Sequence, residues 1–452
     1  MTEDRSDILS ILRDDLSQKR LLKPMQLLAD LHPADIADLF EALDEHEKKL
    51  LFQALDTDTA SEVITELSEF SREQILADLS TKRLGEIVDE LDSDDAADLL
   101  AGVPDEVVEK VLDAIDTEDS LEVRRLLAYD EETAGGVMQA ELLAVPQDAT
   151  VADTIRHVRE HGKDLERLSN IFVTDSHNQV VGQLSLRRLL LSEPDDNVAK
   201  VMDTGVRTIP VDLDQEDVAK IFQKYDIISA PVVEADGTLV GRITIDDIID
   251  IIEEEISEDV LRMGGTHEDE LVYGDQIWKI SRLRLPWLLT TLLGGLFTGY
   301  LLWLFKVALA DAIVLVTFVP VVMALGGSVA IQSTTITVRG LATGAIDLHR
   351  LDRTIYKETR VGLLMALACG LTLGIAAQLW HRNPFLGLAV GLAMAGVILV
   401  ASLMGTLIPV VFQKLGIDPA VSSGPFVTIA NDISGLLIYL SVSSVFLQYI
   451  VT

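Results

Sequence analysis

The hydrophobic positions between residue 31 and about residue 115 repeat every 12 residues. Successive units begin at Leu31, Leu43, Leu55, Leu67, Leu79, Leu91 and Val103, and an apolar pair such as Leu39-Phe40 follows eight and nine residues after each start. This spacing predicts short amphipathic helices, and intervening residues such as Asp56 and Ser80 are types that cap helix N-termini. Helices stacked in this way bury one continuous core, so residues 1–131 are predicted to form an α-helical superhelix.

From about Thr133 the pattern changes to short β-rich runs that alternate with helices, in two copies about 60 residues apart. The first copy predicts strands at Leu142–Pro146, Ile171–Thr174 and Val180–Leu186 and a helix at Val151–His161. The second copy predicts strands at Thr208–Pro210, Ala230–Val233 and Leu239–Ile245 and a helix at Gln215–Tyr225. Polar residues between the last two runs of each copy predict a hairpin turn. The sequence therefore predicts an α/β module, with residues 132–200 in its first copy and 201–252 in its second.

The residues that follow this module predict one long helix from Ile245 to Met263. Its apolar stripe consists of Ile245, Ile248, Ile249, Ile252, Ile256 and Val260, and acidic residues crowd the rest of its surface. Gly264-Gly265 is a suitable stop. We assign residues 253–281 to a connecting helix and linker. A helix this acidic is suited to respond to divalent cations, and the alternative interpretation is that its acids are simply solvated.

Five apolar segments complete the chain, at Pro286–Ala308, Ala312–Thr335, Val361–Trp380, Phe385–Phe412 and Pro425–Val451. Each is long enough to cross a hydrocarbon core of about 30 Å, so residues 282–452 predict an α-helical membrane domain in the lipid bilayer. Basic residues crowd the loop after the second segment, at Arg339, Arg350, Arg353, Lys357 and Arg360. The positive-inside rule therefore predicts a multi-pass protein of the cytoplasmic (inner) membrane, with the N-terminal domains cytoplasmic and the C-terminus outside.

The charge of the chain is strongly asymmetric. The 452 residues carry a formal net charge of -37, and residues 285–452 contribute only 8 basic and 6 acidic side chains. The acidic excess therefore lies in the first 284 residues, which argues against binding nucleic acid or anionic lipid and favours attraction of cations. Adaptation to high salt would give the same composition. The single Cys369 excludes an intramolecular disulfide and a zinc-cysteine cluster, and the polar N-terminus predicts no signal peptide.

One acid, Asp432, lies about two turns inside the last apolar segment. A charged side chain at the middle of a membrane helix costs roughly 2.5–3.5 kcal/mol on insertion scales, so Asp432 is expected to face a water-filled path or a partner. Thr428 falls on the same helical face, and Gly424-Pro425 is a place where backbone carbonyls could be freed to face ions. The alternative is that Asp432 serves packing alone. In the second segment, Ser328 and Gln332 can hydrogen-bond across helices, and we favour packing over lining of the path for them.

The α/β module resembles a tandem pair of cystathionine-β-synthase (CBS) motifs, which often bind adenine nucleotides. In such modules a Gly-x-x-Ser/Thr-x-x-Asp ending often contacts ribose and phosphates, and the second copy has it as Gly241, Thr244 and Asp247. The resemblance therefore implies Thr244 and Asp247 as nucleotide-binding candidates and ATP as a candidate ligand. The first copy departs from the pattern, because Arg188 stands where the Asp would be.

The whole order of acidic superhelix, CBS pair, acidic connecting helix and five spans resembles the MgtE family of bacterial magnesium transport proteins. Local matches lie in the last span, at Asp418-Pro-Ala, Gly424-Pro, Thr428, Asp432 and Gly435, and in the second span, at Gly326-Gly327, Gln332 and Arg339. Ser328, Ala330 and Val427 depart from the usual residues at their positions. The resemblance implies a homodimer with a pore on its two-fold axis, transported Mg²⁺ held by Asp432 of each subunit, and closure by cytosolic magnesium.

The resemblance also implies that several acids outside the spans bind regulatory magnesium between domains. They are Glu62, Asp94, Asp98, Glu216, Asp226, Asp247, Asp250, Glu255, Glu258, Asp259 and Asp418. The mechanism we infer is that the acidic faces repel without magnesium and are bridged by it, so that the connecting helix then blocks the pore.

Three other functions are consistent with parts of the sequence. A broader divalent transporter for manganese or cobalt is the first, although a hard oxygen site without Cys, His or Met favours magnesium or calcium. A membrane-anchored nucleotide sensor is the second, and Asp432 argues against it because an anchor needs no buried acid. An intramembrane enzyme is the third, and beyond Asp432, Thr428 and Ser434 we find no general base. We therefore expect a transport protein and not an enzyme, and no Walker A sequence is present.

Overall fold

The structure is a computed structural model that describes residues 2–18, 20–163, 165, 168–267, 270, 276–306, 313–422 and 424–451. The chain divides into two compact units, residues 1–255 and residues 256–452, and each is described by itself. Part of the predicted linker, and the predicted span ends at Ala308 and Ala312, lie outside the described residues.

The first unit begins with ten short helices. They are α1 (Thr2–Ser17), α2 (Leu22–Leu28), α3 (Pro33–Glu41), α4 (Glu45–Phe52), α5 (Thr57–Thr65), α6 (Glu69–Leu76), α7 (Thr81–Val88), α8 (Ser93–Ala101), α9 (Asp105–Leu112) and α10 (Thr117–Leu126). From α3 onward each helix begins 12 residues after the one before, so the predicted repeat is confirmed. Helices two apart in the chain pack on each other, α3 on α5, α5 on α7, α4 on α6 and α8 on α10, which builds the superhelix.

The repeat fixes both the core and the helix starts. The predicted apolar pairs are buried at every unit, except that Leu76 is only partly covered. Asp56 and Ser80 accept hydrogen bonds from the third backbone N–H of their helices, as N-cap residues do. Asp92 also stands at an N-cap position, but its side chain makes no cap hydrogen bond there.

One ion pair between the buried Lys48 and the partly exposed Glu41 ties neighbouring repeats together. The Glu41 carboxylate accepts hydrogen bonds from the Ser68 N–H (3.0 Å), the Ser68 hydroxyl (2.7 Å) and the Ser71 hydroxyl (2.7 Å). Lys48, which is 4 % exposed, donates to Ser71 Oγ at 2.6 Å and lies 3.8 Å from Glu41. Burial opposes ionisation of Glu41, but the two serines and Lys48 outweigh it and lower its pKa. The charged network therefore locks α3, α4 and α6 together.

The α/β module consists of two copies of one three-stranded unit. Its elements are β1 (Ala144–Pro146), α11 (Val151–His161), β2 (Asn170–Thr174), β3 (Val180–Ser185), α12 (Leu186–Leu191), α13 (Val198–Val201), β4 (Ile209–Pro210), α14 (Gln215–Tyr225), β5 (Ser229–Val233) and β6 (Leu239–Thr244). In each sheet the first strand pairs in parallel with the second, and the second pairs antiparallel with the third. Both sheets have a bulge at the same place, Val173/Thr174 and Val232/Val233. The predicted duplication and both predicted helices are confirmed.

The next helix, α15 (Ile245–Gly264), continues directly from β6, and Gly265 ends it with φ +76°. The chain is therefore helical across the expected boundary between residues 252 and 253. The predicted helix is confirmed, and its apolar stripe is only partly buried within this chain. Ile248 and the unpredicted Ile251 are buried, whereas Ile249 and Val260 are each 58 % exposed.

The second unit contains five helices long and apolar enough to cross a membrane. They are α16 (Ile277–Leu304), α17 (Val319–Ala342), which a 3-10 helix at Ile313–Phe318 precedes, α18 (Leu351–His381), α19 (Pro384–Lys414) and α21 (Pro425–Val451), with the short α20 (Pro419–Ser422) before the last. A further 3-10 turn lies at Leu348–Arg350. The five predicted spans are confirmed; α18 and α19 extend beyond their apolar segments at both ends, whereas α21 has the predicted bounds.

The centre of this unit is α19, which packs against α17, α18 and α21. Between α18 and α19 the backbones are in direct contact, because a Cβ at Gly374 would lie 2.8 Å from the Gly387 carbonyl oxygen and one at Gly387 would lie 2.6 Å from the Gly374 carbonyl oxygen. Tyr439 of α21 is fully buried and donates to the Leu315 carbonyl at 2.7 Å. The Tyr439 hydrogen bond and the packing on α19 fix α21, which carries Asp432, against the rest of the unit.

Replacing Glu41 with Ala should destabilise the superhelix, because three hydrogen bonds are lost and the buried Lys48 ammonium keeps no carboxylate. We expect a loss of about 2 kcal/mol, measured on the full-length protein as faster hydrogen–deuterium exchange of residues 41–76. Glu45→Ala is the matched control, because Glu45 pairs with Lys49 on the surface and should contribute less than about 1 kcal/mol. Equal protection in the two variants would contradict the assigned role of the network.

Candidate cation sites

The carboxylate of Asp432 is half-exposed on α21. The Nδ2 atom of Asn431 lies 3.5 Å from its Oδ1. Thr428 is on the same face, but its hydroxyl donates to the Gly424 carbonyl at 3.0 Å. The Gly424 carbonyl therefore accepts a hydrogen bond within the helix entry, and the expectation that carbonyls there are freed to face ions stays a prediction. Asp432 is therefore the side chain on this face that could attract a cation through its negative charge.

The two polar residues predicted to pack the second span do not do so within this chain. Ser328 and Gln332 are exposed on α17. Instead, Ser333 Oγ lies 3.3 Å from Ser402 Oγ, and Thr334 donates to the Gly405 carbonyl at 3.1 Å. The sequence contained a signal for this, because Gly405 lets the helices approach closely enough for that bond: a Cβ there would lie 2.4 Å from the Ala330 carbonyl oxygen.

A cluster of carboxylates forms in the first unit where α8 meets the start of α15. It comprises Asp92, Asp94, Asp95 and Asp98 from the superhelix and Asp247 and Asp250 from the second CBS copy. We call this group the acidic cluster. It brings together four of the predicted metal-binding residues, Asp94, Asp98, Asp247 and Asp250, although the first two lie more than 140 residues before the last two in the sequence.

Burial and mutual repulsion make the carboxylates of the acidic cluster hard to ionise. Asp94 is 7 % exposed, and burial together with the charges of Asp95 and Asp247 raises its pKa well above the ordinary value. Burial and the charge of Asp98 raise the pKa of Asp95 to about 7. Asp98 reaches solvent, but crowding by protein atoms still raises its pKa to about 6 against the attraction of Arg72. Four or more like charges at this place therefore cost free energy unless a cation accompanies them.

A chain of hydrogen bonds holds α8 at the second CBS copy. The Ser93 N–H and hydroxyl donate to the two oxygens of Glu141 at 3.0 and 2.7 Å. Two residues earlier, Gln139 exchanges both backbone hydrogen bonds with Arg242 of β6, at 2.8 and 2.9 Å. Arg242 is 3 % exposed, burial lowers its pKa, and the charges of Asp92, Glu141, Asp247 and Asp94 favour its charged form. Sequence reasoning did not identify Arg242, a buried cation whose charged form these four acids favour.

The acidic cluster suits a cation that keeps its water ligands better than one coordinated directly by several protein side chains. The Asp94 Oδ1 atom is buried and has no hydrogen-bond partner among the described residues, so it has an unused acceptor. In the same part of the chain, no group of three or more His, Cys, Asp or Glu side chains is arranged to hold a metal ion. Magnesium often binds through one or two carboxylates and keeps several waters, which suits such an arrangement.

The other predicted metal-binding acids are not brought into this cluster. Within the first unit, Glu62 and Asp226 are exposed, Glu216 pairs with Lys220 at 3.0 Å, and Glu255 accepts from Gln215 at 2.9 Å. Within the second unit, Arg262 near the end of α15 pairs with Glu258 and, at 2.8 Å, with Asp418. Asp259 is half-buried on the same helix. A basic side chain therefore joins two of the acids expected to bind magnesium.

The nucleotide-binding candidates are engaged in local contacts. The Thr244 N–H and hydroxyl donate to Asp247 Oδ2 at 2.9 and 3.0 Å, and the hydroxyl also contacts Asp246 at 2.5 Å. A Cβ at Gly241 would lie 2.5 Å from Met138 Sδ, so this glycine is explained by packing of the preceding segment. Asp247 thus starts α15 and belongs to the acidic cluster.

Comparison with known proteins finds matches to three family models along the chain. The MgtE divalent cation transporter family matches residues 319–442, the MgtE intracellular N domain matches 31–132, and the CBS domain matches 134–194 and 198–254. A magnesium transporter MgtE of Thermus thermophilus is 37 % identical over 331 residues, 72 % of this chain and 73 % of that protein. One of Enterococcus faecalis is 35 % identical over 330 residues, 73 % of this chain and 72 % of that protein.

A solved structure resembles the part of the chain before the spans. The crystal structure of the cytosolic domain of the Mg²⁺ channel MgtE in complex with ATP aligns with a TM-score of 0.50 and 32 % identity. It covers 54 % of this chain and 99 % of that one. These matches confirm the resemblance drawn from the sequence and the predicted fold class.

The raised pKa values of Asp95 and Asp98 predict a pH dependence. Because the folded state holds their protons up to about pH 6–7 and the unfolded state releases them near pH 4, stability should fall as pH rises from about 4 to about 7 and change little above that. The measurement is the urea concentration at which the first unit is half unfolded. It is read from the far-UV circular dichroism of the full chain in buffer without divalent ions. Asp95→Asn should flatten the profile, whereas Asp105→Asn, an exposed control on α9, should not. A rise in stability over this range would contradict the assignment.

Proposed function

Because the chain belongs to the MgtE family of magnesium transporters, we propose that it carries Mg²⁺ across the cytoplasmic membrane through a pore shared by two copies. The observation that carries the proposal is Asp432, a lone carboxylate held half-exposed on a membrane-spanning helix within the family-matched region. The relatives named magnesium transporters, at 35–37 % identity, support Mg²⁺ as the ion.

The chemistry of magnesium agrees with a pore on a two-fold axis. One aspartate per chain is too little for a divalent ion, whereas two carboxylates across an axis balance its charge while it keeps its waters. The exposed positions of Ser328 and Gln332 on α17 leave them available to line such a path. An inside-negative potential favours entry of a divalent ion by roughly 4.6 kcal/mol per 100 mV, so uptake needs no ATP-driven pump.

The basic loop residues support the orientation. Arg339 lies near the end of α17, and Arg350, Arg353, Lys357 and Arg360 follow around the start of α18. By the positive-inside rule this end faces the cytoplasm. With five spans, the acidic domains are then cytoplasmic and the C-terminus is outside.

We further propose that cytosolic magnesium closes the pore through the acidic cluster. Without a cation, repulsion among Asp94, Asp95 and Asp247 opposes contact between α8 and the second CBS copy. Binding of Mg²⁺ with the unused Asp94 acceptor would remove this repulsion and favour the contact state. A two-state response requires only that the ion bind one state better than the other. The acids outside the cluster, such as Glu216, Asp226, Glu255, Asp259 and Asp418, remain proposed additional sites.

Nucleotide binding is a proposed second ligand of the CBS pair. The ATP complex of the neighbouring cytosolic domain favours it. The internal bonds of Thr244 and Asp247 would have to rearrange, and Arg188 replaces the acid of the first copy. A broader divalent transporter is the alternative function, and transport of Mn²⁺ or Co²⁺ at the same rate as Mg²⁺ would favour it.

Asp432→Asn should abolish magnesium flux into proteoliposomes, because the ion loses both pore carboxylates while the helix keeps its shape. We expect at least a tenfold loss, the lower end of the cost of disturbing a metal site. Thr372→Val, on the exposed side of α18, is the control and should leave flux unchanged. Unchanged flux in Asp432→Asn would remove this residue from the permeation path.

Asp247→Asn should weaken closure by magnesium, because the acidic cluster loses one of its carboxylates. We expect the cytoplasmic-side magnesium concentration for half closure to shift by about tenfold, measured as flux or single-channel open probability. Asp250→Asn tests the neighbouring acid, and Asp148→Asn in the first CBS copy is the control. If closure stays just as sensitive to magnesium in both cluster variants, the proposed feedback is wrong.

A further inference from the structure

Asn431, the residue before Asp432, is a buried amide between two membrane helices. It is 1 % exposed, and its Oδ1 atom has no hydrogen-bond partner among the described residues. Buried polar side-chain atoms are nearly always hydrogen-bonded, so one that is not needs a specific reason. Neither the packing of α21 nor the pore charge explains why an amide, and not a leucine, occupies this position.

The amide is seated on the paired glycines of α17. A Cβ at Gly326 would lie 3.1 Å from Asn431 Oδ1 and 2.9 Å from Val397 Cγ1, and one at Gly327 would lie 4.0 Å from Asn431 Nδ2. Gly326 therefore makes room for the amide, because a side chain there would crowd the Asn431 Oδ1 atom. This gives the Gly326-Gly327 pair a role at the site itself, as the seat of a side chain of α21.

The other end of the amide is directed at the carboxylate of the pore. Asn431 Nδ2 lies 3.5 Å from Asp432 Oδ1, whereas nothing comparable holds the oxygen end. An amide in this orientation presents N–H to a negative charge and turns its own carbonyl away from it. Gly326 and Gly327 of α17 and the carboxylate of Asp432 thus together fix the orientation of the Asn431 side chain.

We propose that Asn431 is a positioning residue that fixes the Asp432 carboxylate relative to α17 and so sets the affinity and choice of hydrated cation in the pore. The inference rests on the proposed function. Residues that orient a metal ligand typically change metal affinity by 10–100-fold when replaced, without contacting the metal. The cargo this geometry favours is a divalent cation that keeps its water shell, since only one carboxylate per chain is oriented.

The test is magnesium and manganese flux into proteoliposomes by the full-length chain, fitted for KM and maximal rate. Asn431→Leu keeps the size but removes the N–H, and Gly326→Ala leaves Asn431 in place but crowds its seat. Both should raise KM for magnesium about tenfold and reduce the preference for magnesium over manganese, with the amount of folded protein unchanged. Gly435→Ala is the matched control, because its Cβ would also approach Val397, at 3.2 Å, but not Asn431.

A double-variant cycle separates positioning from packing. If Gly326→Ala acts by displacing the amide, it should add nothing to Asn431→Ala, whereas independent packing defects would add. Values of KM and ion preference within twofold of wild type in Asn431→Leu and Asn431→Ala would overturn the inference. So would a loss confined to thermal stability. Wild-type flux and its loss in Asp432→Asn test the proposed function separately, and a wild type that passes no magnesium removes the premise of both.

Discussion

The free-energy cost of a carboxylate that has lost its water governs both units of this protein. In the first unit, burial and like charges raise the pKa values of Asp94, Asp95 and Asp98. In the second, Asp432 is the half-exposed acid of the last apolar helix, where the surrounding hydrocarbon disfavours an unpaired charge. Each place is stable only with a proton, a positive side chain or a cation. Magnesium could serve at both, which would link the transported ion and the regulatory ion through the same physics.

The folded chain supplies part of the required positive charge itself. Arg242 is buried on β6 among the acids of the acidic cluster, and Arg262 joins Glu258 to Asp418 in the second unit. Such built-in cations reduce the charge that a bound ion must balance. A site with fewer uncompensated charges binds a divalent ion less tightly, so these arginines would set the magnesium concentration to which the proposed switch responds.

Rigid surroundings make these electrostatic effects specific. The Ser93–Glu141 bonds and the Gln139–Arg242 bridge hold α8 beside β6, so that repulsion acts at one defined contact. In the membrane unit, the close contact at Gly374 and Gly387 and the Tyr439–Leu315 hydrogen bond fix the helices around α21. A carboxylate discriminates between hydrated ions only if its position is fixed, and packing of this kind provides that.

The sequence by itself determined the elements and the family, because both depend on local periodicity. The 12-residue repeat, the duplicated β-rich pattern and the five apolar runs each gave the helices and strands that the structure contains. What the sequence could not give is which side chains meet. It assigned Ser328 and Gln332 to packing, whereas Ser333 and Thr334 make contacts between α17 and α19. Periodicity identified the apolar stripe of α15, but not that four of its six residues are exposed within this chain. Tertiary structure alone brought Arg242 to Asp94 and Asn431 to Gly326, since burial, desolvation and crowding arise only when distant segments pack together.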